Sequence, residues 1–147
     1  MIRFLVLTQL ASTWAMVGLI WFVQIVHYPL FDRVGEAGFG AYEQIHQRAT
    51  TWVVAPLMFA ELISAGLLLW FRPAGVPSWL LWTGAGLVVV NWASTAFLQV
   101  PLHTKLLEGF DQDVYERLVS TNWIRTIAWS LRGLIVLAVI TSWKPNV

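Results

Sequence analysis

Residues 42–71 read YEQIHQRATTWVVAPLMFAELISAGLLLWF. From residue 49 onward the only charge in this stretch is Glu61. Trp52 and Trp70 stand near the two ends of the apolar run, and Glu61 lies midway between them. Tryptophan prefers the membrane–water interface, and a run of about 20 apolar residues is long enough to cross a bilayer. Glu61 then sits near the midplane, where an acid costs about 2.5–3.5 kcal/mol on insertion scales. Such an acid faces the inside of a bundle and has a partner there. The stretch predicts a polytopic membrane protein with a polar interior.

The composition agrees. Of the 147 residues 58% are hydrophobic and 12% charged, with mean hydropathy +0.66. A soluble domain of this size carries about 25% charged residues. The net charge of +1 gives no electrostatic footprint for nucleic acid. The chain has no cysteine, which excludes disulfides, thiolate metal sites and cysteine nucleophiles. The first apolar run exceeds the roughly 7–15 residues of a signal-peptide core, so it reads as a span.

Working outward, four spans are expected, at about residues 4–28, 49–71, 79–100 and 123–143, within a single domain over 1–147. The fold class is all-α: a four-transmembrane-helix bundle, with a short amphipathic helix in the long connections. In the first span Gln9, Thr13, Gln24 and His27 fall within an arc of about 60°. Pro29 ends or bends that helix, and Pro56 bends the second. In the third, Asn91, Thr95 and Gln99 recur every four positions. Residues 105–120 alternate apolar and charged side chains at helical spacing and read as a helix on the membrane surface. In the fourth, Arg125, Trp129 and Arg132 share a face about 60° wide. The two halves also echo one another: Gln24, His27 and Pro29 in the first, and Gln99, Pro101 and His103 in the second. Four spans put both termini on one side. The density of Arg3, Arg72 and Lys144 in short segments marks that side as cytoplasmic, in a bacterial inner membrane.

Three constellations could carry chemistry. Glu61 and Arg132 lie equally far inside Trp52 and Trp123, so they are expected at one depth as a salt bridge, with Asn91 as a hydrogen-bond partner. Two readings follow. One is a polar lock that fixes helix register. The other is the charged floor of a cavity, where Arg132 binds an oxyanion or Glu61 moves a proton. Next, His27, His46 and His103 all fall on the side of the long connections. They are candidate ligands for copper, zinc or iron, or for a haem, although their spacing is no metal motif. Glu43, Asp32 and Gln24 are near enough in sequence to support such a site. Alternatively, one histidine acts as a general base, or all three are interfacial. Finally, Arg48 and Asn122-Trp123-Ile124-Arg125 open spans two and four; arginines there either snorkel to phosphate or line the same cavity.

Several of these pieces have a familiar layout: His27-Tyr28-Pro29 after span one, Tyr42 with His46 and Arg48 before span two, Pro56 within it, Val100-Pro101-Leu102-His103 after span three, and Asn122-Trp123-Ile124-Arg125-Thr126 entering span four. The chain resembles the anthrone-oxygenase-like family of small four-helix membrane proteins, over most of its length but through short motifs. The resemblance implies oxygenation of an anthrone-type substrate in fungal members, and it carries over His46, Arg48, Asn122 and Arg125.

The expected function is binding, and oxidising, a small hydrophobic molecule in a polar-lined cavity of the bundle. Catalytic candidates are His46, Arg125, Arg132 and Glu61. Substrate-binding candidates are Gln24, Arg48, Asn91, Gln99 and Asn122. The rival readings are a non-catalytic accessory subunit of a larger membrane complex, or of a homo-oligomer, and a small proton-linked transporter that titrates at Glu61.

Overall fold

The computed structural model describes residues 1–144, and every regular element in them is helical. Helix α1 (Ile2–Phe22) continues through a π turn, Val23–His27, and a 3-10 turn, Tyr28–Arg33. Helix α2 (Glu36–Trp70) runs unbroken through Pro56. Helix α3 (Ser78–Ser94) passes through a second π turn, Thr95–Gln99, into α4 (Val100–Leu106). Helix α5 (Gln112–Ser142) closes the bundle. The four rods Ile2–Arg33, Glu36–Trp70, Ser78–Leu106 and Gln112–Ser142 are each long and apolar enough to cross a membrane. This is the expected all-α four-helix bundle, and its composition marks an integral membrane protein.

The amphipathic stretch expected at 105–120 differs in form from the expectation. It is no separate surface helix: 105–106 end α4, 107–111 connect, and 112–120 form the first turns of α5. Asp111 starts that helix, its backbone extended and its carboxylate accepting the Val114 N–H at 2.9 Å, which satisfies one of the unpaired donors of the first turn. Leu118 is fully buried, so the apolar stripe faces the bundle rather than a lipid surface. Helix α2 is extended in the same way. At 1.5 Å per residue its 35 residues span about 52 Å, against a hydrocarbon core of about 30 Å. The bundle therefore projects beyond the apolar slab at the end that holds the long connections.

Three apolar clusters fill the interior from end to end. Leu5, Val6, Leu68, Leu80, Leu81 and Val139 pack near the termini. Met16, Ile20, Val54, Met58 and Trp129 form the middle. Tyr28, Phe31, Phe39, Leu106 and Leu118 close the other end. The outward faces are apolar as well: Trp52, Trp70 and Phe97 are each more than three-quarters exposed, as expected of surfaces that meet lipid. At the terminal end the 71–77 turn is tight. Gly75 has φ +82°, and a Cβ there would lie 2.8 Å from the Ser142 carbonyl oxygen. A side chain at Gly75 is excluded twice over.

Both π turns precede a proline by two residues. Tyr28 N–H donates to the Val23 carbonyl and Val100 N–H to the Thr95 carbonyl, each reaching back five residues rather than four. The cause is local. Pro29 and Pro101 lack an N–H, and their rings crowd the carbonyl four residues earlier. Widening the preceding turn relieves that crowding without ending the helix. This shared π-turn–proline unit is the structural form of the echo between the two halves.

The antiparallel order sets a prediction for topology. Reporter fusions after Arg3, within the 73–78 turn and after Lys144 are expected in one compartment. A fusion between Gly109 and Asp113 is expected in the other. A terminal fusion that disagrees with the 73–78 fusion would break the four-span arrangement.

Candidate functional site

Two polar assemblies lie inside the bundle. The first is at mid-length. Arg132 Nε donates to Glu61 Oε1 at 2.9 Å, both side chains being almost fully buried. Thr13 Oγ1 donates to the same oxygen at 2.6 Å, and Trp129 Nε1 donates to Glu61 Oε2 at 2.8 Å. The guanidinium also donates through Nη1 to the Gly84 carbonyl at 2.5 Å and through Nη2 to Gln9 Oε1. Gln9 Nε2 in turn donates to the Glu61 carbonyl at 2.7 Å and to Ser64 Oγ at 2.5 Å. All four rods contribute a partner, so the network ties the bundle at one depth. Gly84 permits the approach on α3, since a Cβ there would lie 3.3 Å from Arg132 Nη1. Asn91 is not part of this network. It is buried, but neither its Oδ1 nor its Nδ2 has a hydrogen-bond partner among the described residues. The backbone carbonyl of Gly84 occupies the place expected for it.

The second assembly is at the end with the long connections. The two π turns, the start of α2 and α4 bring His27, His46 and His103 together around the buried ring of Phe31. His27 Nε2 lies 2.9 Å from His46 Nδ1, which is also 3.2 Å from Thr50 Oγ1. His103 Nδ1 lies 2.6 Å from Glu43 Oε1, and His103 Nε2 lies 3.0 Å from the Tyr28 hydroxyl. Gln47 Nε2 donates both to Glu43 Oε1 and to the His103 carbonyl, stapling α2 to α4. Glu43 is fully buried.

A cavity of about 300 Å³ adjoins this cluster. Its walls are mostly apolar, with Ile20, Val54 and Met58 among them, and His46, His103 and Arg125 give it a polar side. Phe59 on α2 and Val100 on α4 also line it and are each about half exposed, so it opens laterally between those helices. Arg125 is buried, donates to Asn122 Oδ1 at 3.2 Å and lies over the Trp129 ring, 5.2 Å from its centroid. Its Nε has no partner among the described residues.

The remaining candidates divide. Gln99 lines the cavity and donates to Thr121 Oγ1 at 2.9 Å. Gln24 and Asn122 sit behind Arg125, joined by a 2.8 Å bond from Asn122 Nδ2 to Gln24 Oε1. Asn122 holds Arg125 and Gln24 holds Asn122, and neither lines the space. Arg48 is exposed and points away from the cavity, about 200° around α2 from His46. Glu61 does not line the cavity, and Arg132 borders only a separate void of about 30 Å³. Sequence reading placed Glu43 beside the histidines only as a supporting group, and it passed over Tyr28 and Gln47 as members. A signal was present: Glu43, His46, Gln47, Thr50, Val54, Met58 and Glu61 all fall on one face of α2.

No family model, no curated protein and no solved structure matches the chain. The fold and its interior define the class: a four-helix integral membrane protein with a closed polar lock at mid-length and an imidazole-walled cavity toward one end.

Proposed function

We propose that this protein binds a small hydrophobic molecule in the cavity, with its polar end against His46, His103 and Arg125, and oxidises it there with dioxygen. The observation that carries the reading is the cavity itself. Its volume matches the lower range of small-molecule sites, about 300–1,000 Å³, and such sites pair apolar walls with a few placed polar groups. The chemistry fits a substrate with an acidic C–H next to a carbonyl. An imidazole takes the proton, the guanidinium of Arg125 faces the oxyanion that develops, and the resulting carbanion adds dioxygen and takes the proton back to give a hydroperoxide, which loses water to leave a second carbonyl. The resemblance to the anthrone-oxygenase-like family points to the same substrate class. The lateral opening between Phe59 and Val100 suits a ligand that arrives from lipid. The reading places the protein in a bacterial inner membrane with both termini in the cytoplasm. Proton-linked transport through Glu61 draws less support, because donors occupy both of its carboxylate oxygens.

The test is binding and turnover of an anthrone by the protein in nanodiscs. Anthrone is expected to bind and to be converted to anthraquinone under air, with dioxygen consumed. Ala55→Trp, which fills the cavity, is expected to abolish binding. Trp52→Ala, on the exposed face, is expected to leave it unchanged. Equal binding by Ala55→Trp and the parent protein would remove the cavity from the account.

A further inference from the structure

We propose that Glu43, His46 and His103 form a binding site for one divalent first-row transition-metal ion, with His27 positioning His46. The site deepens the functional reading above, because two of its members line the cavity; with an ion bound these two imidazoles would be ligands, and a water on the ion would take their place as the base. One donor atom from each of the three residues lies within 4.8 Å of the others. A tetrahedral ion with ligands at about 2.0–2.2 Å holds its donor atoms about 3.3–3.6 Å apart, so the three side chains would draw in by up to about 1.5 Å.

The second observation is Glu43. It is fully buried, Oε1 is held by His103 and Gln47, and Oε2 has no hydrogen-bond donor among the described residues. A buried carboxylate with one oxygen unpartnered is costly unless a cation compensates it. Among the described residues no Lys or Arg forms an ion pair with Glu43, and the compensating partner is His103, which carries a charge only when protonated. A metal ion at this point would supply a permanent charge in place of that proton.

The tautomers suit metal binding. In the proposed site His46 carries its proton on Nδ1, within 2.9 Å of His27 Nε2, and its Nε2 lone pair is left for the ion. Metal-bound histidines are characteristically fixed in this way through their other ring nitrogen. For His103, Nε2 lies 3.0 Å from the Tyr28 hydroxyl and in the proposed site carries the proton of that contact. Its Nδ1 faces Glu43 Oε1 across a 2.6 Å contact short enough to share a proton. An ion would replace that proton and bind both atoms. Two imidazoles and a carboxylate are the donor set of zinc and non-haem iron sites, while calcium and magnesium prefer oxygen alone. His27 is therefore not a ligand but the acceptor that orients one. This differs from the three-histidine set expected from sequence.

The experiment is metal analysis and cobalt titration of the full chain in detergent, with no organic ligand present. Protein stripped with chelator is expected to take up one equivalent of Co²⁺ with visible d–d bands, and Zn²⁺ is expected to displace it. Glu43→Gln and His46→Ala are each expected to weaken binding at least 100-fold, and His27→Ala by about 10–100-fold. Gln44→Ala, on the exposed side of the same turn, should bind like the parent. Thermal melting would show whether each variant is folded. X-ray absorption on the cobalt-loaded parent gives a readout independent of the variants, and two imidazole nitrogens are expected. A parent protein without d–d bands at millimolar Co²⁺, or an all-oxygen coordination sphere, would overturn the proposal. So would binding that survives both Glu43→Gln and His46→Ala. Anthrone binding by the stripped protein is scored separately. Its loss would count against the cavity reading, whereas failure of cobalt binding alone would count against this site.

Discussion

Arg132→Leu is expected to destabilise the protein by about 3–5 kcal/mol, because it leaves Glu61 charged and unpaired in a low-dielectric interior. The same change strips a donor from Gln9 Oε1 and from the Gly84 carbonyl, so the loss should fall toward the upper end of that range. Glu61→Gln should cost less. Its amide oxygen can still accept from Thr13 or Trp129, but Arg132 loses its counter-charge. The double variant should be more stable than the sum of the two losses predicts, since both charges leave together. Equilibrium unfolding of the four proteins in mixed micelles measures this coupling directly. Strictly additive losses would show that the two side chains do not act as a pair. Because neither residue lines the large cavity, the double variant should also keep anthrone binding. If stability returns and binding does not, the pair has a role beyond holding helix register.

Trp129→Ala should cost a similar amount, about 3–5 kcal/mol, for a different reason. Trp129 is fully buried in the middle cluster, and truncating a buried tryptophan leaves a void that the surrounding helices fill only in part. The indole also joins the two polar assemblies. Its N–H holds Glu61 Oε2 and its ring lies under the Arg125 guanidinium. Trp129→Phe isolates the first of these contacts. It keeps most of the volume and leaves one buried carboxylate oxygen without its donor, a cost of about 1–3 kcal/mol. Removing the ring altogether should extend the cavity toward the lock, because Trp129 clusters with Ile20, Val54 and Met58, which line it. The alanine variant is therefore expected to accept larger aromatic ligands than the parent. Unchanged ligand size and stability within about 0.5 kcal/mol of the parent, the range of substitutions away from the core, would contradict this packing.

The parts of this architecture that were legible in the sequence are those set by hydropathy and depth. Four apolar runs required four helices. Glu61 and Arg132, each nine residues inside a tryptophan, had to meet if their helices ran the same way. Side-chain periodicity also gathered Arg125, Trp129 and Arg132 on one face, and they do act together. What stayed hidden is chemistry carried by the backbone. The partner that α3 offers Arg132 is the Gly84 carbonyl, and no residue type advertises a carbonyl, so Asn91 looked the better candidate. The start of α5 was misleading for a related reason. An amphipathic stripe reads the same on a membrane surface as on the first turns of a long helix, and only the burial of Leu118 separates the two. Arg48 illustrates the reverse case: its place at the start of span two and the family resemblance put it in the site, while the helical rotation between it and His46 takes it out.

The π turns have a further consequence, for how the chain can change over time. Each holds one residue more than a regular helical turn would need, and the wider turn absorbs that surplus locally. The helix beyond it therefore keeps nearly the heading of a plain α-helix one residue shorter. Deleting a single residue between positions 95 and 99 would let the rod close into a plain α-helix and leave His103 facing Glu43 and Tyr28, at the cost of the crowding that Pro101 brings back. A second deletion would find no surplus to draw on, and every side chain beyond it would turn by about 100° relative to the rest of the bundle. In α1 the same arithmetic governs Tyr28 and Phe31. The two π turns are thus places where these rods can lose one residue and keep their site, a tolerance that a plain α-helical stretch lacks.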